Sequence, residues 1–158
     1  MGAERERPSG AARIALAGDV AVVRALFREY ALSLGERAAY LAGFEDELAA
    51  LPAGYDVVLV ALVDGEAVGC VAVRPLGDGA CEMKRLYVRP SARGTGAGRA
   101  LAVASIEHAR ERGYTLMRLD TLPTMVEAGA LYRSLGFTEV GRYNDNPAPR
   151  VRFMELQL

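Results

Sequence analysis

A glycine-rich segment flanked by arginines is the first place where this sequence could do chemistry. Arg93-Gly94-Thr95-Gly96-Ala97-Gly98-Arg99 lies between a predicted strand and an alanine-rich stretch typical of a helix. Glycines let the backbone approach an anion, and the unpaired N–H groups of a first helical turn carry the positive end of the helix dipole. Lys84, Arg85 and Arg89 add positive charge nearby. The segment predicts a polyphosphate site, and a plain glycine-rich connection with solubilising arginines is the alternative.

The spacing of this segment excludes two familiar phosphate-binding motifs. A P-loop requires Lys and Ser or Thr after its last glycine, whereas Gly98 is followed by Arg99 and Ala100. A dinucleotide fingerprint would need its third glycine at Arg99 or Leu101. Asp120 imitates the ribose-binding acid of that motif, but the strands predicted before the segment form antiparallel hairpins.

Few side chains are available for metal or nucleophilic chemistry. His108 is the only histidine, so we predict no histidine-based metal site and no histidine-activated nucleophile. We expect His108 to be exposed on a helix. The two cysteines, Cys70 and Cys81, are expected to be half-buried and unbridged, because the predicted hairpin pairs Cys70 with a residue nearer Lys84.

Alternating strands and helices must position these residues. Asp64-Gly65 accepts the positive φ angles of a tight turn, so the flanking apolar runs predict a hairpin. Asp19 is a predicted helix cap. The apolar patterns predict strands at 13–17, 57–63, 67–73, 80–88, 115–121, 138–141 and 151–158, and helices ending at Leu34, Leu51 (from Glu36), Arg112 and Leu135 (from Val126). The predicted class is α/β with a mixed sheet.

Length and charge predict one domain without a global attraction to polyanions. The 158 residues are 51% hydrophobic, which fits one compact domain at 13–158 after a tail at 1–12. A net charge of −1 draws the chain neither to nucleic acid nor to a membrane. The N-terminal residues lack a long apolar run, so we expect a cytoplasmic protein.

Two motifs in the expected order carry a family resemblance. Arg93-Gly94-Thr95-Gly96-Ala97-Gly98 resembles the signature of the GNAT superfamily of acetyl-CoA-dependent N-acetyltransferases, and Ala128-x-x-Leu131-Tyr132-x-x-x-Gly136-Phe137 resembles its later motif. The resemblance covers about Val57 to Phe137. It implies a mostly antiparallel sheet with helices on both faces, acetyl-CoA as acetyl donor and no metal. It also allows a homodimer.

The resemblance implies a role for the cofactor-facing backbone. The amides from Arg93 to Gly98 would hold the pyrophosphate of coenzyme A, with Arg93 and Arg99 at its rim. Leu86, Tyr87 and Val88 would offer backbone groups to the pantetheine arm where neighbouring strands splay apart. The Leu86 amide would face the thioester carbonyl and stabilise its developing negative charge.

The resemblance also implies the catalytic groups. Tyr132 would protonate the departing thiolate, and a core-facing aromatic is the alternative. Glu82 would accept the amine proton, directly or through water, because it lies four residues before Leu86 and so on the same strand face; the alternative is a plain surface glutamate. Met125 stands where the later motif often has Asn, which puts one accessory cofactor contact in doubt.

The acceptor is expected to be a primary amine of a small molecule or of an amino-acid-like compound. Tyr30, from a helix before the hairpins, and Tyr143 and Asn144, from a late loop, are the candidate substrate-binding residues. Arg142, Arg150 and Arg152 could clamp a carboxylate. A protein N-terminus or lysine is the alternative acceptor, and a non-catalytic coenzyme A-binding module is the alternative from another class.

Overall fold

One mixed sheet organises the part of the chain that the structure, a computed structural model, describes: residues 10–35 and 43–158. Its seven strands in those ranges lie in the order β1-β2-β3-β4-β5-β7-β6. All neighbours pair antiparallel except β4 and β5, which are parallel. The strands are Arg13–Leu16 (β1), Val57–Val63 (β2), Glu66–Gly77 (β3), Ala80–Val88 (β4), Leu116–Thr121 (β5), Thr138–Val140 (β6) and Arg152–Gln157 (β7).

Helices cover both faces of the sheet, as the resemblance implies. They are Val20–Leu34 (α1), Phe44–Ala50 (α2), Ala97–Glu111 (α3) and Val126–Ser134 (α4). One buried cluster joins α1 and α2 to one face of the sheet, and a second joins α3 and α4 to the other. The α/β class with a mixed, mostly antiparallel sheet is therefore confirmed. None of the helices in the described ranges combines the length and apolarity of a membrane span.

The predicted second helix is shorter than expected within the described residues. It begins at Phe44, because Gly43 precedes it with a left-handed backbone at φ 77°. The predicted start at Glu36 lies outside the described residues. Two local predictions are confirmed: the Asp19 carboxylate accepts a hydrogen bond from the Ala21 amide at 2.9 Å, and Asp64 and Gly65 have φ angles of 51° and 80°.

A bulge in β4 changes which residues share a face. Arg85 has a left-handed φ of 59°, and the pairing of β3 with β4 shifts register between Cys70 and Ala72. The extra residue in β4 reverses its side-chain alternation. Glu82 pairs opposite Arg74 on the α1 side, whereas Leu86 packs into the cluster on the α3 side. The prediction that Glu82 and Leu86 share a face is wrong.

The cysteines and the histidine are more buried than expected. Cys70 lies opposite Tyr87 and donates its thiol to the Arg85 carbonyl oxygen at 3.3 Å, so the bulge also corrects the predicted partner of Cys70. Both cysteines are fully buried and unbridged. Burial raises the pKa of the Cys81 thiol to about 12, which leaves this cysteine protonated. His108 is half-buried rather than exposed, and its Nε2 finds no hydrogen-bond partner among the described residues.

Close packing of β3 on β4 predicts a strong effect of Gly69→Ala. A Cβ at Gly69 would lie 2.7 Å from the Tyr87 carbonyl oxygen and 3.1 Å from Leu101 Cδ1. We expect the variant to lose about 1–3 kcal/mol of unfolding free energy, measured by urea denaturation. Gly129→Ala is the matched control, because its Cβ would meet only the Arg133 guanidinium at 3.6 Å. This helical glycine should gain about 0.5–1 kcal/mol on substitution; equal effects at both sites would contradict the packing argument.

Candidate active site

The parallel strands β4 and β5 separate and open a gap through the sheet. They pair only where Ala80–Glu82 lies beside Leu116–Arg118. Beyond Glu82, the edge of β4 that faces β5 has no strand partner in the described ranges. The gap has a cavity volume of about 40 Å³ and is lined by residues of β4, the end of β5 and α4, among them Leu86, Asp120 and Tyr132. An extended molecule could hydrogen-bond along this edge as an additional strand.

The glycine-rich segment forms an open turn at the start of α3. Gly94 and Gly96 have φ angles of 80° and 84°, and Gly96 caps the helix without a side-chain hydrogen bond. The Thr95 hydroxyl donates to the Ala92 carbonyl oxygen at 2.5 Å, which fixes the turn. Within the described part of the chain, the backbone amides of residues 94–99 donate to no acceptor. Converging unbonded amides at a helix N-terminus suit an anion such as a diphosphate.

The predicted basic cluster around this turn is only partly present. Arg93 and Arg99 are exposed beside it; the Arg93 amide, however, already donates to the Pro90 carbonyl oxygen. Arg89 instead donates to the carboxylate of Glu29 on α1 at 3.0 Å. Arg85 likewise donates two hydrogen bonds to the carboxylate of Glu47 on α2, at 2.9 and 3.2 Å. Acidic side chains of the helices therefore engage Arg85 and Arg89, which corrects the prediction that these two arginines add their charge to the turn.

Tyr132 lies where the motif predicts, on α4 against the gap. It is buried and packs edge-on against Phe137, with ring centroids 5.8 Å apart. Burial raises the pKa of its phenol well above the ordinary value, and the nearby Tyr30 and Asp120 raise it further. The phenol therefore stays protonated in neutral and moderately alkaline solution and can donate a proton into the gap.

Glu82 is fully buried at the centre of a polar network on the α1 side of the sheet. Its Oε1 accepts from Arg74 Nε at 2.7 Å and lies 3.6 Å from Lys84 Nζ. Its Oε2 accepts from the Tyr143 hydroxyl at 2.5 Å and from the Asn144 amide at 3.4 Å. Both oxygens have partners of their own, so Glu82 is not the plain surface glutamate of the alternative.

The loop between β6 and β7 hydrogen-bonds to Asp120, which lines the gap. Asn144 and Asn146 donate their side-chain amides to Asp120 at 2.7 and 3.1 Å. Tyr143 and Asn144 thus lie at the candidate site and hold its carboxylates in place. From its position in the sequence, Asp120 resembles only the ribose-binding acid of a dinucleotide motif. In the structure it lies at the end of β5 and lines the gap.

The other residues predicted to bind the acceptor do not all lie at the gap. Tyr30 of α1 lines the gap. Two arginines of the expected clamp are engaged elsewhere, because Arg142 donates to the carbonyl oxygens of Asn144 and Asn146 and Arg152 lies 3.5 Å from Glu139. Arg150 is exposed. Met125, where the motif often has Asn, lines the gap.

Comparison with known proteins decides the family. The model of the Acetyltransferase (GNAT) family matches residues 20–137. The chain belongs to the GNAT family. An uncharacterized N-acetyltransferase of Schizosaccharomyces pombe is 46% identical over 106 residues, which are 66% of this GNAT chain and 65% of that protein. The match thus spans just under two thirds of that relative's length.

Solved structures agree with the GNAT fold and with its acetyl donor. A Klebsiella pneumoniae protein assigned as an acyl-CoA N-acyltransferase superposes with a TM-score of 0.75 at 30% identity, covering 93% of this chain and 97% of its own. A Salmonella typhimurium protein assigned as an acetyltransferase, solved with its cofactor acetyl-CoA, has a TM-score of 0.69 at 26% identity and 94% coverage of both chains. The comparisons thus show the GNAT fold, and the Salmonella typhimurium neighbour carries acetyl-CoA as its cofactor. Within the described ranges, no group of three or more His, Cys, Asp and Glu side chains could hold a metal.

Proposed function

We propose that this GNAT protein transfers acetyl directly to a primary amine of a small molecule, without a covalent enzyme intermediate. The observation that carries the proposal is the meeting of three features at one opening. The turn at residues 94–99 offers unbonded amides, β4 offers an unpaired edge, and Tyr132 offers a protonated phenol. Each feature suits a different part of an acyl-coenzyme A molecule.

The residues present fit acetyl-CoA along its length. The amides of residues 94–99 would bind the pyrophosphate, and Arg93 and Arg99 would add charge at its rim. The unpaired edge of Leu86, Tyr87 and Val88 would bind the pantetheine arm as a strand. When bound, acetyl-CoA supplies the acetyl group as a thioester. The Leu86 amide would donate to the thioester carbonyl oxygen and stabilise negative charge there.

Two side chains would move protons on opposite sides of the sheet. Tyr132, on the α4 side, would protonate the leaving sulfur. Glu82, on the α1 side, would accept the proton of the acceptor ammonium through water, since an ammonium has no lone pair for attack. The bulge at Arg85 supports this division, because it places Glu82 and Leu86 on different faces.

A small acceptor is favoured over a protein by the surroundings of this opening. On the α1 side, Tyr30 lines the gap, and the loop of Tyr143 and Asn144 contacts Glu82 directly. The net charge of −1 provides no field for a basic protein tail. A single domain over 13–158, a homodimer and a cytoplasmic location stay predictions.

Ligand-induced stabilisation followed by turnover tests the proposal. A ligand that binds only the native state raises the melting temperature by mass action. We expect acetyl-CoA and coenzyme A to raise it and ATP and NAD to leave it unchanged, and we expect thiol release from acetyl-CoA with some members of an amine panel. Stabilisation without thiol release by any amine would identify a coenzyme A-binding module instead.

Gly96→Ala tests the phosphate-binding turn. Gly96 caps α3 at φ 84°, where a side chain costs about 1–2 kcal/mol. The turn should relax and misdirect its amides, so we expect the dissociation constant of coenzyme A, measured by calorimetry, to rise about tenfold. Gly113→Ala, at φ 85° after the other end of α3, carries the same strain away from the gap. It should weaken folding but not coenzyme A binding; equal affinity losses in both variants would contradict the assignment.

A further inference from the structure

Lys84 is the only lysine among the 19 basic side chains of the chain. All the other basic side chains in that count are arginines, which carry a guanidinium. Lys84, in β4, carries a compact ammonium with three hydrogen-bond donors. It lies one residue before the bulge and lines the same gap as Leu86 and Tyr132. The function proposed above gives Lys84 no role.

Among Arg74, Lys84 and Arg85, Lys84 has the weakest hydrogen-bonding partner, although the negative charges of Glu82 and Asp120 both act on it. Arg85 makes two short hydrogen bonds to Glu47, and Arg74 is held by Glu82 Oε1 at 2.7 Å. Lys84 Nζ approaches the same Oε1 only to 3.6 Å, which is beyond hydrogen-bonding distance. The other oxygen of Glu82 is taken by Tyr143.

Because Lys84 is largely buried, the lack of a well-placed hydrogen-bond partner for its ammonium costs free energy. The Lys84 side chain is only 17% exposed. Burial, followed by the charge of Arg85, lowers the pKa of its ammonium below the ordinary value. A buried charge requires a partner with good hydrogen-bond geometry, and a carboxylate is the natural partner of an ammonium. An incoming carboxylate would therefore gain most at Lys84 among the three cations.

We propose that Lys84 binds a carboxylate of the acceptor, so that the acceptor is an amine that also carries a carboxylate, as an amino acid does. The inference rests on the proposed acetyl transfer and names the acceptor class. Lys84 and Leu86 flank the bulge at Arg85, and both line the gap. One small molecule could therefore place its amine beside the acetyl group at the Leu86 amide while its carboxylate meets the ammonium. Lys84 would thus bind the carboxylate that is assigned, from the sequence, to Arg142, Arg150 and Arg152.

Matched acceptor pairs test this proposal on the full-length protein. Alanine, glutamate and phenylalanine are each compared with the derivative whose α-carboxylate is a carboxamide, and kcat/KM is measured by thiol release. We expect the acids to be favoured over the amides by at least about tenfold. Lys84→Met keeps the length of the side chain and removes its charge, so the ratio of acid to amide should fall at least about tenfold. Lys84→Arg keeps the charge and should retain most of the preference.

A control variant at a distant arginine and the carboxamide acceptors distinguish failure of the Lys84 assignment from failure of acetyl transfer. Arg13→Met removes an exposed charge from β1, at the far side of the sheet, and should leave the ratio unchanged. Amides acetylated as well as acids by the native protein, or a ratio unchanged in Lys84→Met, would overturn the assignment of Lys84 while leaving acetyl transfer standing. Absence of thiol release with every acid and amide, although acetyl-CoA binds, would also overturn it. Absence of acetyl-CoA binding would overturn the proposed function as well.

Discussion

Tyr132→Phe lowers kcat about 10³-fold with a saturating amine, because the departing thiolate loses its proton donor. The ring remains, so its packing against Phe137 and the walls of the gap are preserved. We expect the dissociation constant of coenzyme A to change by less than about threefold, because the phenol acts on the leaving sulfur and not on the pyrophosphate. Steady-state kinetics and calorimetry on the same preparation measure both quantities.

The pH dependence adds a second readout for Tyr132. Burial raises the pKa of this phenol, so its neutral, proton-donating form persists to higher pH than that of an exposed tyrosine. The kcat of the native protein should therefore show no loss up to about pH 10, where an exposed phenol would be half ionised. Tyr114→Phe is the matched control, since it removes a hydroxyl that donates to Asp56. Turnover should be unaffected by it; parallel losses of turnover and affinity in Tyr132→Phe would make the phenol structural.

Glu82→Gln lowers kcat about 10²-fold near neutral pH, because the amine must then lose its proton to solvent. Glutamine keeps the shape of the side chain and can still accept from Tyr143. The native rate should fall on the acidic side along a single limb, because the acceptor amine becomes protonated. In the variant, the rate should continue to rise with pH as the free amine becomes more abundant.

Loss of a structural charge must be separated from loss of the base. Glu82 also holds Arg74 at 2.7 Å, so the variant is expected to have a lower melting temperature and is assayed well below it. Glu139→Gln removes a carboxylate that pairs with Arg152 at the β6 edge and should leave the pH profile unchanged. An unaltered profile in Glu82→Gln would remove this residue from proton transfer.

Local chemistry made the elements of the fold predictable. The turn at Asp64-Gly65 and the Asp19 cap depend on residues adjacent in sequence, and both were located from the sequence. The motif around Gly96 depends on the local backbone of a tight turn. The position of Tyr132 depends on the helical period, so it too follows from residues nearby in the sequence.

Contacts between distant segments were not predictable in the same way. Arg85 and Arg89 look like parts of the phosphate site, yet they pair with Glu47 and Glu29, which are 38 and 60 residues away in the chain. The bulge at Arg85 also escapes a pattern-based prediction, because arginine has no special preference for a positive φ. That single extra residue moved Glu82 to the opposite face from Leu86 and changed the expected partner of Cys70.

A crystal structure with acetyl-CoA tests the central claim most directly: that the turn before α3 and the gap between β4 and β5 together bind one acyl-coenzyme A. We predict pyrophosphate oxygens within hydrogen-bonding distance of the amides of residues 95–99, and an acetyl group beside the Leu86 amide with its sulfur facing Tyr132. A ligand bound elsewhere, or crystals with saturating acetyl-CoA that leave this gap empty, would contradict the account.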